Sequence, residues 1–288
     1  MKRLLVAAVV MASLLVPASS ALGSTYNPKG EFAQFGECPL NRPALVYCLF
    51  SQSSGGFFQT GKKTVPLVNT VTLQGGLEFN EAEEAQFYGA ANGDTLSKTP
   101  QPVPGGLLGI EAPAWWPKFL RDLFNNYINE GATGVTATVE IAGPATNIKV
   151  SPTNVILEEG TALGLPAKIK LSNPFLGSNC YIGSNSKPVQ IDFTTGTTSP
   201  PPPNTPIKGA AGTLTTNGAG TLIKLAGGAF VNNSYAAPGA SGCGGIFSFL
   251  VDPFVNSIVG LPSPAGTNTA ILEGKFELGY APAVKASE

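Results

Sequence analysis

Apolar and polar side chains alternate with a period of two along several stretches of this 288-residue chain. Val135, Ala137, Val139 and Ile141 fall on one side of an extended backbone and Thr136, Thr138 and Glu140 on the other. Val189, Ile191 and Phe193 oppose Gln190 and Asp192 in the same way. Near the C-terminus, Ala270, Leu272, Phe276 and Leu278 oppose Glu273, Lys275 and Glu277. This alternation predicts strands with one face on a core and the other in water. Further strands are predicted over residues 65–73, 154–158, 167–171, 213–225 and 230–232.

Two stretches follow a helical period instead. Phe119, Leu120, Leu123, Phe124, Tyr127 and Ile128 recur every three or four residues, behind Pro117 at a first helical position and ahead of Gly131 at a C-terminal stop. In the second, Asp252 and Pro253 read as an N-cap and N1 pair, Phe254, Val255, Ile258 and Val259 supply an apolar side, and Gly260 ends the helix. Each helix is expected to lay its apolar face over an end of the β core. Neither carries the cationic polar face typical of helices that lie in a membrane interface. Residues 194–206, with the run Pro200 to Pro203, predict a linker or a projecting loop without backbone donors, and residues 101–106 a second loop.

Composition agrees with a globular β protein. Apolar residues make up 43%, enough to fill a core, while 35 Gly and 25 Pro suit many tight turns between short strands. The predicted fold is an antiparallel β-sandwich, with the jelly roll as one form of it, carrying two short helices; a closed β-barrel is the alternative.

Residues 1–23 read as a secretory signal peptide. Lys2 and Arg3 form a positive start, Leu4 to Val16 an apolar run and Pro17 to Gly23 a small-residue tail, with cleavage after Ala21 or after Gly23. The run is shorter than the roughly 20 apolar residues of a membrane span, and no later segment reaches that length without a charge or a proline. No cysteine stands at the new N-terminus, where Leu22, Gly23 and Ser24 lie, which argues against a lipid anchor. About 265 residues then remain as one β-rich extracellular domain. Removing Lys2 and Arg3 from the 17 basic side chains leaves 15 against 18 acidic, a net charge near −3. A chain of that charge has no basic patch for phosphates, so nucleic acid is not an expected partner.

Export places the four cysteines in an oxidising compartment, where an even count reads as two disulfides. Three pairings are open; the favoured one joins Cys38 to Cys48 and Cys180 to Cys243. Metal ligation is the rival reading, but the chain has no Cys-x-x-Cys and no histidine. The absence of histidine also excludes Ser-His-Asp and Cys-His catalysis. Gly56 to Lys62 has a Walker-like spacing, but Lys63 stands where Ser or Thr must hold magnesium, so a glycine turn between strands is expected. Ser184 and Lys187 have the spacing of a serine acyl-enzyme without its companion motif. Gly239 to Cys243 reads as a glycine-rich turn. Glu78, Glu81, Glu83 and Glu84 are the one acidic cluster, expected to be a solvated loop, with weak calcium binding as its functional reading. Trp115 and Trp116 precede the first helix and are expected to anchor it in the core; exposed, they would offer an aromatic face to a sugar. No catalytic, metal or cofactor-binding residue is assigned.

The stretch Leu165 to Thr205, containing LPAKIKLSNPFLGSNCYIGS and TTGTTSPPPPNT, resembles uncharacterised secreted proteins of actinobacteria, and the resemblance extends to Gly36-Glu37-Cys38 and to Gly61 to Gly76. It implies export and a bacterial cell-envelope setting and carries no activity with it. The expected function is therefore a structural or binding role at the cell surface or in the medium, with a cell-wall or extracellular polymer or a protein as partner. The alternative is a secreted carbohydrate-active hydrolase using two carboxylates, the residue type left to an enzyme without histidine.

Overall fold

The computed structural model describes residues 26–82, 84–130 and 133–288; the segment read as a signal peptide lies outside them. Strands β1 (Tyr47–Thr60), β2 (Lys63–Pro66), β3 (Val71–Phe79) and β4 (Ala85–Gly89) come first. There follow β5 (Gln101–Pro102), helix α1 (Lys118–Asn129), β6 (Thr136–Ile141), β7 (Lys149–Val150), helix α2 (Pro152–Leu157), β8 (Leu163–Ser172), β9 (Tyr181–Ile182) and β10 (Val189–Phe193). The chain ends with β11 (Thr213–Thr216), β12 (Leu222–Asn232), β13 (Ala240–Ser241), helix α3 (Ser248–Val259), β14 (Thr269–Tyr280) and helix α4 (Ala281–Ala286).

These strands form two antiparallel seven-stranded sheets. The first runs β11-β12-β14-β1-β3-β4, with β2 also on β1; the second runs β13-β9-β8-β6-β5, with β7 and β10 also on β8. Each sheet keeps its own edges, so the fold is a sandwich and no barrel closes. The alternating residues of the sequence supply its inner faces. Val189, Ile191 and Phe193 of β10 and Leu163, Leu165, Ala167, Ile169 and Leu171 of β8 meet Leu49, Leu73, Leu77, Phe87, Leu225, Phe276 and Leu278 of the first sheet in one core. Burying each Leu, Ile or Phe contributes roughly 1.5–3 kcal/mol. Thr194 and Val231 exchange backbone hydrogen bonds of 3.0 and 2.8 Å, which ties the end of β10 to β12 across the two sheets.

A smaller cluster covers the outer face of the first sheet. Phe32 and Phe35 of a 3₁₀ helix (Gly30–Phe35) pack with Leu45, Leu222 and Val284 of α4. Gly279 makes this possible, because a Cβ there would stand 2.8 Å from both the Phe35 ring and a Val284 methyl. Cys38 bonds to Cys48 and Cys180 to Cys243, the favoured pairing, and no free cysteine remains. The first disulfide holds the small cluster to β1. The second holds the segment entering α3 to β9.

Several expected elements differ. Residues 154–158 are not a strand: Ser151 accepts a hydrogen bond from the Asn154 N–H, Pro152 opens the turn, and α2 results, burying only Val155. The β-branched Val155-Ile156 pair suggested extension, but the Ser-Pro start is an N-cap signature. Residues 213–225 are two strands parted by a turn in which the Asn217 side chain accepts from the Thr221 and Leu222 N–H groups, and 65–73 is likewise broken between β2 and β3. α3 begins four residues before Asp252, so Pro253 lies inside the helix and Asp252 is no N-cap. Its carboxylate instead accepts the backbone N–H groups of Cys243 at 2.8 Å and Gly242 at 3.2 Å. Among the described residues, two short helices, α2 and α4, stand beyond the expected pair. The Pro-rich loop does not project: Asn204 donates to the carbonyls of Asn233 and Asn268, holding it on the body of the protein.

Replacing Cys180 and Cys243 together by serine is expected to lower unfolding free energy by roughly 4 kcal/mol, and the Cys38/Cys48 pair by about 3 kcal/mol, since the longer closed loop restrains the unfolded chain more. Denaturant unfolding of the two double variants checks both the losses and their order.

Candidate binding site: an apolar end and the cavities beneath it

The motifs singled out in the sequence do not converge. Gly56 to Thr60 lie in β1, and Gly61 and Lys62 form the two-residue turn into β2, with the Lys62 N–H donating to the Val259 carbonyl. The Ser184 hydroxyl accepts from the backbone N–H of Lys187 at 3.0 Å, so this spacing describes a turn. Cys243 is oxidised. Of the acidic cluster, Glu78 binds Arg42 at 2.7 Å and Glu84 accepts from the Asn80 side chain, while Glu83 lies outside the described residues. Among the described residues, no three acidic or cysteine side chains come together as metal ligands would.

The first helix departs most from expectation. Of its twelve residues only Ile128 is buried; Phe119, Leu123 and Tyr127 are 69%, 67% and 77% exposed, and Leu120 is exposed beside them. The expectation that this apolar face covers the core is corrected, as is the one that both tryptophans anchor the helix. Trp116 packs edge-on against Phe124, but Trp115 is 81% exposed. The physical reason lies on the other side of α1. Asn125 and Asn129, one turn apart and opposite the apolar stripe, accept the N–H groups of Ala112 and Gly105 at 2.8 and 3.0 Å. Those bonds satisfy the backbone of the loop at residues 104–112 and turn the polar face inward.

α3 repeats the arrangement. Val255 is buried and Ile258 and Val259 face a cavity, and Asn256 accepts the Ala240 N–H at 2.7 Å, pinning the helix to β13. Ile246, Phe247, Phe249, Leu250 and Phe254, on α3 and the 3₁₀ turn before it (Gly245–Phe247), are exposed. The loop between the helices adds Leu108 and Ile110. A Cβ on Gly109 would lie 2.9 Å from an Ile258 methyl, while Gly105 bonds to α1, so the loop touches both helices and all three apolar segments share one end of the sandwich. Exposed apolar side chains gathered at one end make it the candidate interaction surface.

Beneath this end lies a seam of cavities. Leu107, Val135, Leu176, Val255 and Ile258 line one of about 40 Å³ under α3. It shares Lys63, Val103, Leu171 and Val259 with a cavity of about 70 Å³ between the sheets. The larger one shares Phe58, Val71 and Val139 with a third of about 40 Å³ that reaches Leu165 and Phe230. The hydroxyls and the amide on the large cavity are engaged elsewhere. Thr60 bonds to Tyr235, and Ser97 accepts from the Thr72 N–H and the Thr99 hydroxyl. Gln101 accepts the N–H groups of Val68 and Asn69, both at 2.9 Å, and donates to the Asn69 carbonyl at 2.7 Å. Lys63 carries the one charge on the seam. Its side chain is 13% exposed, and its ammonium donates to the carbonyls of Pro104 and Gly109 at 3.2 and 3.4 Å, with Glu111 at 3.7 Å.

A wider groove of about 980 Å³ runs between Phe79, Gln86, Asn147, Lys149 and Gln190, with Glu84 as its acid. Its amides serve their neighbours: Gln86 donates to the Thr146 carbonyl and Gln190 to Asp192. None of these cavities is lined by two carboxylates. Compared with protein-family models, curated proteins and solved structures, the chain matches none. Nothing in single-sequence patterning pointed to the seam, since its lining comes from strands far apart in the chain; the apolar stripe of α1 was legible, its outward orientation was not.

The Arg42 guanidinium, which also stacks 3.5 Å over the Tyr88 ring, holds the Glu78 carboxyl below the usual carboxylate range by direct hydrogen bonding. A depressed folded-state value stabilises the fold above the ordinary carboxylate range, and that contribution disappears as pH falls through the folded value. Arg42→Met is therefore expected to cost up to about 1 kcal/mol at neutral pH, given the partial exposure of the pair, and progressively less in acid. Thermal unfolding of the protein and the variant across pH 2 to 7 measures the difference.

Proposed function

We propose that the protein is exported and acts at the cell envelope as a binding protein without catalytic chemistry, seating its apolar end against a lipid layer. The observation that carries this reading is the outward display of Phe119, Leu123, Ile246, Phe249 and Leu250 on two helices at the same end. The signal-peptide character of residues 1–23, the resemblance to secreted actinobacterial proteins and the two disulfides support the setting. Among the described residues no helix is long and apolar enough to cross a membrane, so contact from one side is the form such binding takes. A lipid layer suits this surface better than a protein groove, because the apolar side chains project from separate helices. Trp115 and Tyr127 add rings with polar tips of the kind that settle at a lipid–water boundary. With few basic groups on α1 and none on α3, attachment rests on apolar burial and not on anionic headgroups. The hydrolase alternative loses its motivation, since the cavities described hold no pair of carboxylates and Trp115 and Trp116 lie at the apolar end.

Flotation of the chain from residue 24 onward with neutral phosphatidylcholine vesicles tests the proposal. The protein is expected to float with the vesicles, with little dependence on salt. Phe119→Ser with Leu123→Ser, or Phe249→Ser with Leu250→Ser, is expected to lower the bound fraction by roughly tenfold per side chain while leaving thermal unfolding unchanged. Protein that stays behind with every vesicle composition, or a stable dimer that hides these side chains, sinks the reading.

A further inference from the structure

We infer that the seam between the sheets binds the hydrocarbon tail of a single-chain carboxylate amphiphile, with Lys63 receiving its headgroup. The inference deepens the lipid-docking reading, because the docking end and the mouth of the seam are built from the same loop and helix. It rests on a separate observation, the seam itself.

Protein interiors pack as densely as organic crystals and hold few voids larger than a water molecule. Here three voids adjoin, each sharing lining residues with the next, along a path from Ile258 through Val103 and Ile169 to Phe230. The largest, about 70 Å³, exceeds the roughly 10–15 Å³ that one water needs. Three small voids in series suit an unbranched chain better than a ring system or a branched sugar. On the two cavities nearer the mouth the walls offer a ligand no free polar group apart from Lys63, since the hydroxyls and the Gln101 amide are committed to partners within the protein. The innermost cavity adds Ser51, which donates to the Lys275 carbonyl, and Ser53 among otherwise apolar side chains. Water would gain little there; methylene groups would lose nothing.

Lys63 fixes the other end of the ligand. It lines both the large cavity and the one under α3, at their junction. An ammonium with so little access to water needs an anion. Its two carbonyl partners are neutral, and its one carboxylate, Glu111, is 3.7 Å away and more than half exposed. A ligand carboxylate at this junction would displace Glu111, whose side chain is free to turn to solvent, and would keep the carbonyl bonds intact. The tail would then enter the seam between Val103, Leu171 and Val259.

Calorimetric titration with monomeric decanoate and decanol, without vesicles, tests the site separately from membrane docking. The protein is expected to bind both, decanoate more tightly. Lys63→Met is expected to bring decanoate down to the affinity of decanol, about tenfold or more, and to leave decanol as it was. Glu111→Gln is expected to tighten decanoate alone. Val139→Phe, which fills the two inner cavities, is expected to abolish binding of both probes while unfolding stays cooperative; Ala137→Leu serves if that variant does not fold. The site is overturned if neither probe binds, or if a folded filling variant binds as before. The headgroup assignment is overturned if Lys63→Met leaves the preference for decanoate unchanged. Loss of flotation with retained decanoate binding would refute docking and leave the seam standing.

Discussion

The pairing of β1 with β14 is the constraint on which the rest of the structure depends. It runs from Tyr47 opposite Tyr280 to Gln59 opposite Thr269, joining parts of the chain more than 200 residues apart at the centre of the first sheet. Closing so long a loop costs entropy before any contact rewards it, so the pairing has to be strong on both of its faces. It is: Leu49, Phe276 and Leu278 enter the main core, while Cys48 and its neighbours pack beneath Phe35 and α4. Register slips on both sides of β14, between Ser53 and Gly55 on β1 and between Ala226 and Gly228 on β12, fall opposite Gly274. A Cβ on Gly274 would lie 1.9 Å from the Gln52 carbonyl oxygen. The two bulges and that glycine bend the centre of the sheet at one level, as bulges do.

The apolar end follows from a competition between satisfying backbone and burying side chains. The loop at residues 104–112 crosses the end of the sandwich with N–H groups that no strand can receive. Asn125 and Asn129 of α1 take two of them, and Asp252 and Asn256 of α3 do the same for the segment around Cys243 and Ala240. An unpaired buried N–H costs about as much as burying an apolar side chain gains. Once the amide faces are turned inward, phenylalanine and leucine face outward on both helices. Lys63 belongs to the same arrangement, its ammonium holding the carbonyls of that loop above the seam.

Different parts of this architecture were legible to different degrees. β10 could be read because its Gln190 and Asp192 face is in water, which imposes a strict alternation. β6 and β14 alternate in residue type although Thr138 and Glu277, expected in solvent, are buried, Glu277 because it accepts from the Gln34 side chain and pairs with Lys275. β1 could not be read, because Gly55 and Gly56 and a bulge interrupt it and both of its faces are covered. α2 was mistaken for a strand because Val155 and Ile156 are β-branched, although Ser151 and Pro152 already signalled a helix start. The proline within α3 misplaced its beginning. The two disulfides were legible from compartment and count together with loop length.

What the sequence by itself determined is local and compositional. It determined a β-rich chain with two amphipathic helices, paired cysteines and no histidine chemistry, because periodicity and residue type are properties of neighbouring positions. The tertiary structure alone decided which face of each helix looks outward, which strand ends leave voids between the sheets, and that Lys63 stands at the junction of two of them. These features arise where β2, β5, β6, β8 and α3 meet, and no spacing along one strand records how well the next layer fills the room above it.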